Sequence, residues 1–370
     1  MRQLLIKPVM HKYDKCAEFA KEFEIGKGDL VITNEWIYKP FFGPLSLECD
    51  VLLQEKYGSG EPSDEMAEAI YADIDRSCKR IIAIGGGTVI DLAKLYALKN
   101  VSPVTDLFDR KLEFVKDKEL VLVPTTCGTG SEVTNISILE FKQRQTKFGL
   151  AVDEIFADSA VMIPELLAGL PYQFFAASSI DALIHAVESV VSPKANLYTK
   201  MFAFEAIRMI ISGYQEMEKN GIEARIPLLE DFLIASNLAG IAFANAGVGA
   251  VHAMSYPLGG KYHIPHGEVN YALFTGVFDA YMSISSDGAI AELNAVLAEA
   301  LGCAVGDVYK ALAKLLNVIL PLKRLREYGV TDQDIIDFTA NVMEKQGRLT
   351  ANNYVPLDAA RVTAIYKDLM

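Results

Sequence analysis

The chain has 370 residues, more than one hydrophobic core usually serves, so two domains are expected. Hydrophobic residues make up 51% and charged residues 22%, the composition of an ordinary globular protein. A net charge of −13 excludes the broad basic face of a nucleic-acid binder, and it obliges any anionic substrate to find a local cation.

The five cysteines (Cys16, Cys49, Cys78, Cys127, Cys303) are odd in number and scattered, which predicts reduced thiols and a cytoplasmic setting. The first residues carry no long apolar segment, and no run of about 18 apolar residues follows, so no membrane partner is expected.

In chain order, residues 29–33 and 49–54 read as buried strands. A helix opens near Glu61 and Pro62, with acids in its first turn, and runs to about Ser77. Residues 80–84 form a third strand, followed by Gly85, Gly86 and Gly87 and a helix. Another strand, 119–123, leads into a loop of hydroxyls and glycines from Thr125 to Ser131. Residues 133–140 and 146–152 alternate as an antiparallel pair, and 157–162 reads as a last strand. Strands alternating with helices predict an α/β domain with a parallel sheet covered on both faces.

From Leu166 onward helical periodicity takes over, and the boundary is placed between domains 1–166 and 167–370. Helices are expected at 172–191, 196–218, 223–245, 249–256, 268–282, 288–301, 305–316, 332–346 and 358–369. Pro257, Leu258, Gly259 and Gly260 read as a break between two of them. The second domain is therefore all-α.

Three stretches carry chemistry. Gly86 and Gly87 lie between a strand and a helix, where a backbone without Cβ atoms can approach a pyrophosphate; a tight turn without a ligand is the alternative. Thr88 and Asp91 have the spacing of a capping box. The 125–131 loop follows a strand at the sheet edge where ligands bind, and two such loops together favour a nucleotide cofactor. Asn34, beside Glu35, ends the first strand and is either a ribose contact or a turn residue; no adjacent arginine welcomes a 2′-phosphate, which favours NAD over NADP. Cys127 has no base near it in sequence and reads as a small buried thiol.

The third stretch runs from His252 to Gly267 and holds three of the five histidines: His252, His263 and His266. His185 stands four residues after Asp181, on one face of a helix. One carboxylate and three imidazoles without thiolate suit a divalent metal such as iron or zinc, so Asp181, His185, His252 and His266 are expected to converge on one ion. Glu188, one turn on, either orients His185 or is solvated. His263 either approaches the substrate or is an ordinary turn residue.

Taken together these pieces resemble the iron-containing (group III) alcohol dehydrogenases. They comprise Gly85 to Thr88 with Asp91, Pro124 to Glu132, Asp181 to Glu188, His252 to Met254, Pro257 to Gly259 and Pro265 to Gly267, in that order over nearly the whole chain. The resemblance implies a dehydroquinate synthase-like fold with the active site in the interdomain cleft, and hydride transfer between NAD and a primary alcohol. It implies Fe²⁺ as the metal, with Zn²⁺ as the alternative, and a homodimer or higher homo-oligomer. It points within the family to 4-hydroxybutyrate and succinate semialdehyde, with diols, glycerol, short-chain alcohols or a dehydroquinate synthase-type lyase reaction as alternatives. Gly86, Gly87, Thr88, Thr125, Thr126 and Ser131 match the nucleotide loops, and Lys147 matches a lysine that reaches the ribose. Asn34 stands where NAD-preferring members often carry Asp. Tyr256 stands where many carry a second histidine, so a relay histidine cannot be assigned there; a phenol relay or a wall against the nicotinamide takes its place. Lys261 and His263 are candidates to meet a substrate carboxylate.

Overall fold

A computed structural model describes residues 2–144 and 146–370. The chain forms two compact units, Ile6–Leu170 and Pro171–Met370 with Met1–Leu5.

In the first unit the strands are β1 (Val9–Lys12), β2 (Asp29–Thr33), β3 (Asp50–Leu53), β4 (Arg80–Gly85), β5 (Glu119–Pro124), β6 (Ile136–Phe141), β7 (Thr146–Ala151) and β8 (Ser159–Met162). Helices α1 (Cys16–Glu22), α2 (Glu35–Phe41), α3 (Asp64–Asp73), α4 (Gly87–Tyr96) and α5 (Val104–Phe108) connect them. Six strands make one parallel sheet in the order β1-β8-β5-β4-β2-β3, while β6 and β7 pair antiparallel. The central strands β2, β4 and β5 are buried almost throughout, as apolar runs flanked by helices must be.

After β2 the chain turns toward β3, and after β4 it turns toward β5 on the other side. The order reverses between β2 and β4, so the residues that follow these two strands flank a switch point at the carboxyl edge. The Thr33 hydroxyl donates to the Ile84 carbonyl at 2.7 Å and ties the two strand ends together.

Four elements of the first unit escape the sequence reading: β1, α1, α2 and α5. Each has seven residues or fewer, too few for a period to register. The expected 61–77 helix is shorter, because Ser63 caps it by accepting from the Met66 amide at 3.2 Å.

The second unit is helical: α6 (Tyr172–Val191), α7 (Leu197–Asn220), α8 (Leu229–Ala246), α9 (Ala250–Tyr262), α10 (His266–Ile284), α11 (Gly288–Leu301), α12 (Val308–Ile319), α13 (Asp332–Lys345), α14 (Gly347–Thr350) and α15 (Ala359–Asp368). Its axis is α6, packed against α7, α8 and α10. Sixteen of the twenty α6 residues are buried, so its apolar length serves a protein core rather than lipid.

The expected break at Pro257 does not occur: α9 runs through it to Tyr262. Proline removes one helical hydrogen bond, but Tyr256, Leu258 and Gly259 are buried and tertiary packing holds the turn.

Candidate metal centre and nucleotide loops

Three helices of the second unit bring Asp181, His185, His252 and His266 together. One ligand atom from each lies within 4.8 Å of the others. Asp181, His185 and Glu188 occupy i, i+4 and i+7 on α6, one stripe of a buried helix. His252 sits in the first turn of α9. His266 opens α10, where Pro265 precedes it as the cap residue.

The approach of α10 to α6 depends on Gly267. A Cβ there would stand 2.1 Å from the Ala177 carbonyl oxygen and 3.2 Å from the Asp181 Cβ. Only glycine allows the start of α10 to lie on the α6 backbone beside Asp181.

His185 stacks face to face on Phe243 at 4.3 Å and on His252 at 4.7 Å between centroids, whereas His252 meets His266 at 5.3 Å with the rings tilted by 59°. Asn270, one turn after His266, points its amide nitrogen into the group. It lies 2.7 Å from Asp181 Oδ1 and 3.1 Å from Nε2 of both His252 and His266. Two amide hydrogens face three acceptor atoms, while the amide's own Oδ1 is buried without a partner. Such a surplus of buried lone pairs is costly and fits a cation.

Nδ1 of His252 lies 2.5 Å from Glu188 Oε2 and Nε2 lies 3.1 Å from the Asn270 amide nitrogen, an arrangement that suits a proton on Nδ1 donated to the carboxylate. Glu188 Oε1 accepts the Val251 amide at 2.8 Å. Glu188 therefore orients His252, which α9 brings to it. Burial pushes the Glu188 carboxyl up to about 7. Burial also drives His252 down to about 4, with Arg348 adding to the effect and Asp181 opposing it. Asp181 is held below the usual carboxylate range: burial opposes ionisation, but the fields of His185, His266 and His252 and the Asn270 hydrogen bond outweigh it.

Other expected residues fall elsewhere. Tyr256 is buried one turn after His252, its ring 6.0 Å from that of His266. His263 is exposed, at the left-handed residue that ends α9 (φ 51°). It is not one of the four clustered residues. Lys261 is engaged by Asp334, whose second oxygen accepts from the Tyr262 hydroxyl at 2.7 Å and from Thr331. That pairing takes Lys261 out of the role of a waiting cation.

In the first unit, the two glycine loops lie against each other. A Cβ on Gly86 would meet Thr126 at 3.4 Å, one on Gly87 would meet Thr129 at 3.0 Å, and the Thr125 amide donates to the Gly85 carbonyl at 3.0 Å. Gly86 is the cap residue of α4, whose N-terminus points its amides to the carboxyl edge.

The Thr88–Asp91 capping box is not formed. The Thr88 hydroxyl donates to the Gly60 carbonyl at 3.0 Å. Asp91 accepts from the Ser131 hydroxyl and from the Ile138 amide at 2.9 Å. Asp91 is drawn to the second loop because a hydroxyl and a free strand amide lie within reach there, whereas glycine at the cap leaves no side chain to answer it.

Beneath both loops lies Lys94, which the sequence reading passed over. It is fully buried, and its ammonium donates to Ser131 Oγ at 2.5 Å, Thr134 Oγ1 at 3.0 Å and the Ile136 carbonyl at 2.6 Å. Burial lowers its pKa, against the pull of Asp91 and Glu132. Lys147 is also buried and pairs with Glu61. Asn34 caps α2 by position, and its amide donates to Gln54 at 3.2 Å and to Glu55 at 2.9 Å. Glu55 also accepts the Glu35 amide at 2.8 Å, so a carboxylate does stand at this edge, supplied by β3's end rather than by residue 34. Cys127 is buried.

Comparisons with known proteins agree with this geometry. The family model for iron-containing alcohol dehydrogenases matches residues 9–164, and that for the C-terminal part of the Fe-containing alcohol dehydrogenase family matches 175–370. The chain is 51% identical to a 4-hydroxybutyrate dehydrogenase of Clostridium kluyveri over 370 residues, covering 100% of both. It is 35% identical to a long-chain-alcohol dehydrogenase of Geobacillus thermodenitrificans, over 91% of this chain and 88% of that one. Among solved structures, a sulfoacetaldehyde reductase from Bifidobacterium kashiwanohense in complex with NAD+ superposes with a TM-score of 0.85 at 20% identity, over 100% of this chain and 98% of that one. A 1,3-propanediol oxidoreductase gives a TM-score of 0.82 at 24% identity, over 100% of both chains. With both halves matched and a full-length relative at half identity, the chain belongs to the iron-containing alcohol dehydrogenase family.

Proposed function

We propose that this oxidoreductase interconverts 4-hydroxybutyrate and succinate semialdehyde with NAD and a divalent metal, Fe²⁺ in the first instance. The observation that carries the substrate is the 51% identity, without gaps in coverage, to the Clostridium kluyveri 4-hydroxybutyrate dehydrogenase. The observation that supports the metal is the convergence of one carboxylate and three imidazoles, with Asp181, His185 and His252 buried and His266 half-buried.

Asp181, His185, His252 and His266 would hold the cation. When bound, the cation supplies Lewis-acid polarisation of the substrate oxygen, and NAD supplies the hydride acceptor. The chain's residues set the conditions. Glu188 keeps the His252 proton on Nδ1, so the Nε2 lone pair faces inward. Asp181 brings a single negative charge and the neutral rings bring none, which leaves a dication's field only partly cancelled. Tyr256, beside His266, is placed to pass a proton or to wall the site. Gly86, Gly87, Thr88, Thr125, Thr126 and Ser131 form the pyrophosphate cradle in this reading, with Asn34 and Glu55 at the ribose end. We also read the protein as a cytoplasmic homo-oligomer with no nucleic-acid or membrane partner, consistent with its acidic charge.

The test is NADH formation at 340 nm after anaerobic loading with ferrous iron or zinc. A panel of 4-hydroxybutyrate, 1-butanol, 1,3-propanediol and glycerol, each with NAD and NADP, should show the highest kcat/KM for 4-hydroxybutyrate with NAD. His266→Ala should abolish turnover while NADH binding, followed by fluorescence, survives. Equal turnover of 1-butanol and 4-hydroxybutyrate would overturn the substrate.

A further inference from the structure

The chemistry at the metal centre does not use Lys94, yet the first unit encloses its side chain completely. Enclosing an ammonium is costly unless its hydrogens find acceptors. Here they find three: Ser131 Oγ at 2.5 Å, Thr134 Oγ1 at 3.0 Å and the Ile136 carbonyl at 2.6 Å. All three acceptors lie in one stretch, 131–136, that begins where the second glycine loop ends. Helix α4 therefore grips that end of the loop.

Ser131 is committed on both sides. Its oxygen accepts from Lys94, and its hydroxyl hydrogen goes to Asp91 Oδ1. An ammonium has only donors and a carboxylate only acceptors, so the hydroxyl between them keeps no hydrogen for a phosphate oxygen. Asp91 is itself fixed. Its Oδ1 lies 3.5 Å from the Lys94 ammonium, its Oδ2 accepts the Ile138 amide at 2.9 Å, and its carbonyl accepts the Ser137 hydroxyl at 2.8 Å. The grip reaches the first loop as well. The Ser131 amide donates to Thr129 Oγ1 at 3.3 Å, and the Thr129 methyl is what a Cβ on Gly87 would meet at 3.0 Å. Between these points the loop carries Gly128 and Gly130, the latter at φ 55°. Glycines leave an unanchored loop many conformations, and a loop fixed beforehand loses less freedom when it binds.

We infer that Lys94 is a positioning residue for the dinucleotide: through Ser131 and Thr134 it fixes the 125–131 loop, and Ser131 serves as the anchor of that loop rather than as a donor to the pyrophosphate. The inference rests on the reading of the two glycine loops as the NAD cradle. Lys94 itself touches no cofactor in this assignment.

The test measures NADH binding by fluorescence in the metal-loaded wild type, Lys94→Met, Ser131→Ala and the double variant. Methionine nearly matches lysine in length and lacks its donors. The Kd for NADH should rise about 10-fold or more in Lys94→Met. KM for NAD should rise with it, while kcat at saturating NAD stays within about twofold. Amides of residues 125–134 should exchange with deuterium faster in the variant than in the wild type. If Ser131 is part of the same anchor, the double variant should bind NADH no more weakly than the weaker single variant; a serine that meets the phosphate directly makes the two losses add. A lysine that serves stability alone would lower the melting temperature and leave the NADH Kd in place. If Lys94→Met does not fold, Thr134→Val carries the same measurements, since it removes one acceptor and keeps the charge. An NADH Kd within about twofold of wild type, unchanged exchange in the loop, or additive losses overturn the inference and leave the NAD cradle standing. A wild type that binds no NADH overturns the cradle reading, and the inference with it.

Discussion

Glu188 shows how far single residues were legible. Its place one turn beyond His185 marks it in the sequence as a residue that could support a ligand, but the ring it holds is 64 residues away. Spacing on one helix reveals which side chains share a face; it cannot reveal what another helix brings to that face. Lys94 was missed for a related reason: a lysine on an amphipathic helix reads as solvated, and nothing local says that Ser131, Thr134 and Ile136 will enclose it. Glu188→Gln should weaken metal affinity about 10- to 100-fold, because an amide holds the Nδ1 proton less firmly than a carboxylate. Competition with a chelator of known affinity measures this, and unchanged affinity would make Glu188 merely structural. Asp334 gives a pH prediction. Burial opposes its ionisation, but hydrogen bonds from Lys261, Thr331 and Tyr262 more than compensate and hold its carboxyl well below the usual range. A depressed folded-state value stabilises the fold above the ordinary carboxylate pKa near 4, and the contribution fades as pH drops below it. Asp334→Asn should cost about 1–3 kcal/mol at pH 7. The deficit should shrink in urea melts taken below pH 4; a constant deficit would exclude the charge as its source.

Among the elements, the long helices were readable and the short connections were not. Helix α6 announces itself by length, but its neighbours do not, since α10 reaches it only through the gap above Gly267. In sequence that glycine follows His266 as if it were a turn residue; in the fold it is helical, and its bareness serves a contact. Gly267→Ala should therefore do more than the roughly 1 kcal/mol or less typical of a helix surface change. With 2.1 Å to the Ala177 carbonyl oxygen, a methyl must move α10 from α6 and carry His266 away from Asp181. We expect a loss of about 3 kcal/mol or more in stability, together with a drop in bound metal per chain measured by elemental analysis. Near-normal metal content would show that the helices can separate without opening the cluster. The glycines of the first unit were read more easily, because a strand, a glycine run and a helix in succession have one common use. The capping box failed there because its two residues found partners in other segments, Thr88 at Gly60 and Asp91 at Ser131 and Ile138.

For the molecule as a whole, the alternation of strand and helix followed by helices alone was sufficient to set the architecture. The sheet order was not legible, since β1 and β8 pair from opposite ends of the first unit through short strands. A metal held by the four clustered residues would tie together three helices of the second unit, across residues 181–266. A ligand that binds only the folded state adds about 4 kcal/mol when present at about 1,000 times its Kd. Stripping the protein with a chelator under anaerobic conditions should lower its melting temperature by several degrees, and ferrous iron or zinc should restore it. Calcium, which prefers all-oxygen sites, should not. A melt indifferent to all three ions would remove the metal from the account.

The missing clearance above Gly267 has one more consequence. Where a backbone oxygen occupies the space of a side chain, the helices bearing the ligands have no room to drift without dismantling the centre. Substitution is then tolerated less where α10 crosses α6 than at positions away from that crossing.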